Sequence, residues 1–160
     1  GVDWGRSNDF TVISVFDRQL MRQVAVDRFT DIGFSIQRQR LRKMYDIWQP
    51  TAIYAEANSF GAPNIEALQA EGLPVVPFWT SNASKTQIIE SLAGAIERKE
   101  ILLLNDRVQV AELQAYEFER TASGLFKYTA PDGAHDDMVI ALALSYYGAL
   151  MGARWEVELV

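Results

Sequence analysis

The sequence predicts one α/β domain over residues 1–160, a mixed sheet with helices on both faces. Three observations lead to that class. Strand-forming segments joined by short turns fill the first thirty residues. Short apolar strands then alternate with amphipathic helical stretches, and the chain closes on a long apolar helix that opens with acids.

The opening segment reads as an antiparallel three-strand meander. Val2–Trp4 runs into the turn formers Gly5-Arg6-Ser7-Asn8-Asp9, Thr11–Phe16 is rich in β-formers, and Arg22–Phe29 places Val24, Val26 and Phe29 at strand spacing. Beyond Gly33 the period changes. Leu41, Met44, Tyr45 and Trp48 stand at i, i+3, i+4 and i+7, a helical stripe ended by Pro50, which assigns Trp48 to the core together with Trp4 of the first strand. Arg38, Arg40, Arg42 and Lys43 occupy the solvated face. Thr51–Glu56 reads as a strand ending in an acid. A short helix over about 64–71 precedes Gly72, a natural C-terminal cap, and Pro74–Phe78 forms the next strand. Ser84 and Gln87 have capping-box spacing and open a helix with Ile88, Leu92, Ala95 and Ile96 on one face. Ile101–Leu104 is a short extended piece, 108–114 a helix, and Tyr116–Thr121 with Leu125–Thr129 a hairpin. The last helix starts near Asp136 and runs to Met151.

Composition narrows the chemistry. With no Cys and one His, the chain has no disulfide framework, no thiolate zinc site, no Cys nucleophile and no multi-His zinc site. Fifteen Lys plus Arg against 21 Asp plus Glu give a net charge of −6, which argues against a plain electrostatic DNA clamp. Any nucleic-acid role then needs metal ions or a basic partner. The longest uncharged run, Met138 to Ala153, is shorter than the roughly 20 residues of a membrane helix, so no membrane association is expected. The first residues do not resemble a signal peptide, and the chain opens inside a strand without Met, as a piece cut from something longer does.

The informative residues are acids at strand and helix ends: Asp3 in the first strand, Glu56 closing the fourth, and Asp136 and Asp137 opening the last helix behind His135. Each has an ordinary explanation. Asp3 can satisfy the following turn, Glu56 can face solvent, His135 can sit in a turn, and Asp136 and Asp137 suit a helix N-terminus, where a cap and the macrodipole both favour anions. Together they point elsewhere. Carboxylates gathered at neutral pH require a proton, a cationic partner or a metal. Oxygen ligands suit hard divalent cations, and a pair of such ions about 3.5–4 Å apart activates water and stabilises the leaving oxygen of a phosphodiester. Adjacent helix residues diverge by about 100°, and both faces of the last helix are apolar, so periodicity leaves Asp136 and Asp137 equal candidates.

An acid on the first strand, a meander, a helix, an acid ending the fourth strand and an acidic start to the last helix resemble the ribonuclease-H-like nuclease superfamily. The wording is similar to one branch of it, the C-terminal nuclease domain of the large terminase subunit of tailed phages. The segments that carry this are Gly1-Val2-Asp3-Trp4-Gly5, Ala55-Glu56-Ala57-Asn58, Asn82-Ala83-Ser84-Lys85, Ser123-Gly124 with Lys127-Tyr128-Thr129-Ala130-Pro131, and Gly133-Ala134-His135-Asp136-Asp137-Met138. The resemblance implies a metal-dependent endonuclease that cuts concatemeric viral DNA during genome packaging. It implies two divalent cations, Mg or Mn, with Asp3 bridging both, Glu56 binding one, and Asp136, Asp137 or both completing the site. It further implies double-stranded DNA as substrate, with an ATPase domain of the same parent chain, a small terminase and a portal protein as partners. The cytoplasm of an infected bacterium is the expected place of action, and a monomer the expected state of the isolated domain. The ATPase phosphate-loop pattern Gly-x-x-x-x-Gly-Lys-Ser/Thr does not occur in these residues.

Candidate DNA contacts are Lys85 at a helix start, Arg6 in the turn after Asp3, and Arg120 and Lys127 on the hairpin. The competing readings are a resolvase- or transposase-like enzyme with the same acids, one lobe of a sugar-kinase-like ATPase, and a non-catalytic docking module. A single lobe of 160 residues and an acidic final helix fit the ATPase poorly.

Overall fold

The computed structural model describes the backbone of residues 1–5, 9–120, 126–129 and 135–157, with side chains over 1–5, 9–116 and 135–152. Its central sheet contains β1 (Val2–Asp3), β2 (Thr11–Asp17), β3 (Arg22–Phe29), β4 (Ile53–Glu56) and β5 (Val75–Phe78), in the order β3-β2-β1-β4-β5. The meander β1-β2-β3 is antiparallel, and β4 and β5 continue the sheet in parallel with β1. The helices are α1 (Phe34–Trp48), α2 (Gly61–Ala70), α3 (Asn82–Glu97), α4 (Arg107–Ala115) and α5 (Asp137–Val157). A separate two-stranded hairpin pairs β6 (Glu117–Arg120) with β7 (Phe126–Thr129).

Strand alternation divides the sheet into two faces. Val2, Ile13, Ile53, Ala55 and Val75 pack with Leu41 of α1 and Ile65 and Leu68 of α2. The opposite face belongs to α5: Val12 meets Met138 and Ala141, while Tyr54 and Phe78 join the cluster of Ile88, Leu92, Leu142 and Ala143. Asp3 pairs with Val12 in the antiparallel ladder, and Glu56 lies two residues beyond Tyr54. Both acids are thereby set on the α5 face. Residues 138–144 of α5 are all buried, as expected of a helix with no polar stripe. Gly1 permits the crossing, since a Cβ there would overlap Ala141 O and Ser145 N on α5.

Three details differ from the sequence reading. The third helix begins at Asn82 with Ser81 as its N-cap. Ser84 is the third residue of the helix and completes the capping box by accepting the Ser81 N–H at 2.8 Å. Trp48 is 42% exposed rather than in the core, because it lines an open cavity between β2, α1 and α5 and the stripe buries only Leu41 fully. The short extended piece at 101–104 carries a lone bridge from Leu102 to Arg22. The second helix starts at Gly61, three residues early, since Pro63 is tolerated in a first turn. Among the described residues no helix is long and apolar enough to cross a membrane.

Polar contacts fix α4. The buried Gln109 and Gln23 amides bond reciprocally at 2.8 and 2.7 Å, and Gln23 also donates to Ser14 Oγ at 3.1 Å. Asp106 caps the start of α4 through the Val108 and Gln109 N–H groups.

Gly61 is the glycine most tied to the acid at the end of β4. A Cβ there would overlap the Glu56 carbonyl and crowd Trp4. Gly61→Ala is expected to lose about 1–3 kcal/mol in urea unfolding. Gly94→Ala, whose Cβ would meet only the flexible end of Arg98, is expected to be neutral or to gain up to about 1 kcal/mol from helix propensity.

Candidate metal centre

Two backbone features bring the acids together. β1 and β4 are parallel neighbours, so Asp3 and Glu56 reach the same sheet edge on the same face. The start of α5 arrives over that edge, with the Asp136 carbonyl accepting the Ile140 N–H at 2.9 Å. Asp136 is therefore the N-cap and Asp137 the first helical residue. Asp3 and Asp137 are 8% and 9% exposed, whereas Asp136 and Glu56 are half-buried.

The electrostatics follow from that burial. Asp3 is held well above the ordinary carboxyl range, first by desolvation. Glu56, with which it shares a hydrogen bond, adds to this, as do the charges of Asp137 and Asp136. Asp137 is pushed up to about 6, again first by burial, then by Asp9 and Glu112, with His135 opposing and Asp136 adding a smaller push. Lys85 donates to Asp136 Oδ2 at 2.8 Å. Asp137 Oδ2 is buried with no hydrogen-bond partner among the described residues, and His135 Nδ1 stands 3.5 Å away, beyond a good bond. His135 in turn lies 3.7 Å from Asp9 and sits edge-on to Phe10, over which the Arg28 guanidinium stacks at 3.2 Å. Ligating atoms of Asp9, His135 and Asp137 all fall within 4.8 Å of one another.

These groups fit a hard divalent cation. A buried carboxylate oxygen without a partner among the described residues is costly, and the acids crowding Asp3 leave the site short of positive charge. A cation ligated by oxygens removes both penalties, and the donor set is the one such ions prefer.

Of the residues singled out in the sequence, the fold brings Asp3, Glu56, Asp136, Asp137 and Lys85 to one place. Arg6 lies outside the described residues. Arg120 and Lys127 lie on β6 and β7, with side chains outside them. β7 packs against α3, the helix that carries Lys85. The sequence reading missed Asp9, Arg28 and Glu112. The Glu112 carboxylate accepts the Met138 N–H at 2.9 Å and faces Arg28 at 3.7 Å. Asp9 is placed by a turn, and Glu112 resembles any helix-surface acid until α4 docks. A cavity of about 400 Å³ between β2, α1 and α5 is lined by Gly1, Phe16, Leu41, Trp48 and Tyr54, and none of the four clustered acids reaches it.

The raised pKa of Asp137 fixes the sign of a pH effect. The folded state holds the proton up to about pH 6 and the unfolded chain only to its ordinary value of 3.8. The stability contributed is therefore full below about pH 4 and lost as pH rises through 6. In chelator, Asp137→Asn is expected to gain on wild type by about 2–3 kcal/mol between pH 4 and 8, measured by urea unfolding. A gap that does not change with pH would refute the electrostatic picture.

Comparison with known proteins places this arrangement. The model of the terminase RNaseH-like domain family matches residues 1–147. The chain is 31% identical over 160 residues to the large terminase subunits of Thermus virus P23-45 and Thermus phage G20c, covering 98% of this chain and 33% of each of theirs. It spans about a third of the length of these curated relatives. The large terminase nuclease of thermophilic phage G20c, solved with bound magnesium, superimposes with a TM-score of 0.84 at 30% identity, over 92% of this chain and 78% of that one. The buried acids at the sheet edge, the five-stranded mixed sheet and the match over nearly the whole length agree, and the chain belongs to the terminase RNaseH-like domain family.

Proposed function

We propose that this domain is a divalent-metal-dependent endonuclease that hydrolyses phosphodiester bonds of double-stranded viral DNA during genome packaging. The observation that carries this reading is the buried meeting of Asp3 with Glu56, Asp136 and Asp137, whose mutual repulsion has no structural benefit. The bound magnesium of the G20c nuclease supports a divalent cation here. Asp3, Glu56 and Asp137 are the ligands we assign, since both Glu56 and Asp137 act on the Asp3 carboxyl. Asp136, engaged by Lys85, completes the charge of the site. Two such cations, Mg or Mn, would supply an activated water and charge stabilisation at the leaving oxygen.

The chain's own residues do the rest. Asp3 and Glu56 are fixed by neighbouring parallel strands, so their spacing is rigid. Asp137 presents an oxygen, Oδ2, that takes no hydrogen bond among the described residues. Lys85, in the first turn of α3, offers a point charge for a phosphate of the bound strand, with Arg6, Arg120 and Lys127 as further phosphate contacts on the turn and hairpin. With a net charge of −6, the domain relies on the metal and on the rest of the motor to hold DNA. That motor would comprise an ATPase domain of the parent chain, a small terminase and a portal, acting in the cytoplasm of the infected host.

Purified domain is expected to nick supercoiled plasmid in Mn²⁺ or Mg²⁺ and to stop in chelator. Asp3→Asn and Glu56→Gln should each lower the rate by at least about 10²–10³-fold with a native circular dichroism spectrum, the order expected for losing a preorganised electrostatic group. Folded Asp3→Asn protein that cuts at the wild-type rate would remove the proposal and leave a docking module.

A further inference from the structure

We infer that Glu112 is a positioning residue that caps α5 from a neighbouring helix, and so frees Asp136 and Asp137 to face the metal centre. The inference rests on reading that centre as the nuclease site. An N-cap aspartate ordinarily spends its carboxylate on the N–H groups of the second and third helical residues. In α5 these are Met138 and Val139, and the first is held by the carboxylate of Glu112, Met138 donating to Oε2 at 2.9 Å, while Oε1 has no hydrogen-bond partner among the described residues. Asp136, in the N-cap position, turns instead to Lys85 at 2.8 Å, and Asp137 leaves Oδ2 without a hydrogen bond among the described residues.

Glu112 is built for a fixed position. It is 8% exposed, and burial pushes its pKa up while the Met138 and Val139 N–H groups and Arg28 pull it down. Arg28 is 3.7 Å away and is itself stacked on Phe10, the ring that His135 meets edge-on. Gln109, one turn earlier on the same face of α4, locks that helix to β3 through the reciprocal amide pair with Gln23. These two polar residues are the buried ones of α4, so the helix is docked by polar contacts rather than by an apolar stripe. Without Glu112, the Met138 N–H at the start of α5 loses its acceptor, and the N-cap carboxylate that ordinarily takes that group is Asp136.

The test is Mn²⁺ affinity, read by electron paramagnetic resonance on folded protein together with the melting temperature. Glu112→Ala is expected to weaken Mn²⁺ binding by about 10–100-fold, the range seen when partners that orient metal ligands are removed. Glu112→Gln keeps a neutral acceptor for the helix N–H groups and is expected to stay within about threefold of wild type. Leu68→Ala, in the core beneath the opposite face, controls for destabilisation and should melt lower with unchanged Mn²⁺ affinity. Unchanged affinity in Glu112→Ala would overturn the inference. An equal loss in Glu112→Gln would overturn it as well, showing that Glu112 acts by charge as a ligand. If Glu112→Ala does not fold, Glu112→Asp, one methylene too short to reach the helix, takes its place with the same expected loss, and unchanged affinity there overturns the inference equally. Wild-type protein that binds no Mn²⁺ would instead bring down the nuclease reading, and the inference with it.

Discussion

Burying carboxylates beside one another is the constraint around which this domain is arranged. Asp3 sits at the centre of the sheet, desolvated, sharing a hydrogen bond with Glu56 and repelled by Asp136 and Asp137. A fold free of functional demands would place an apolar residue there, as it does at Val2 one position away. The surrounding structure supplies enough apolar burial to tolerate the strain. Val2, Ala55 and Ile13 anchor one face of the same strands, and α5 covers the other with an almost unbroken buried run. At roughly 25 cal/mol per Å² of apolar surface, a few such side chains offset the cost of keeping charged groups out of water.

Backbone geometry at the sheet edge depends on the same constraint. Parallel pairing of β1 with β4 sends two acids toward one end, and the glycines at 1 and 61 remove side chains where α5 and α2 approach β1 and the Glu56 carbonyl. Helix α5 contributes its N-terminus, whose partial positive charge moderates the repulsion. Its capping from α4 leaves the local acids available for chemistry. Stability and function are thereby divided between different carboxylates: Glu112 satisfies the helix, while Asp136 and Asp137 face the site.

Much of this was legible in the sequence because local signals and tertiary outcome agree. The turn formers after Trp4 and at Asp17-Arg18-Gln19 delimit the meander, and Glu56 at a strand end and the acids before the apolar helix mark the candidate site. Where the reading departed from the structure, the deciding contact lay outside the local window. The helix cap moved from Ser84 to Ser81 because both serines fit the motif and the strand before them ends at Phe78. Trp48 lies on a helical stripe, but it lines an open cavity formed by separate elements, β2, α1 and α5. Glu112 and Asp9 come from a helix and a turn whose distance from Asp137 along the chain says nothing of their distance in space. That Lys85 of α3 engages Asp136 rather than Asp137 is likewise a contact between segments 51 residues apart.

The central claim is that the repulsion among these acids exists to hold cations. Anomalous diffraction from crystals soaked in Mn²⁺ tests it most directly. Peaks ligated by Asp3 and Glu56, with Asp137 as a further ligand, are the predicted result. An Asp3 carboxyl still hydrogen-bonded to Glu56, with no anomalous density between them at saturating Mn²⁺, would contradict it.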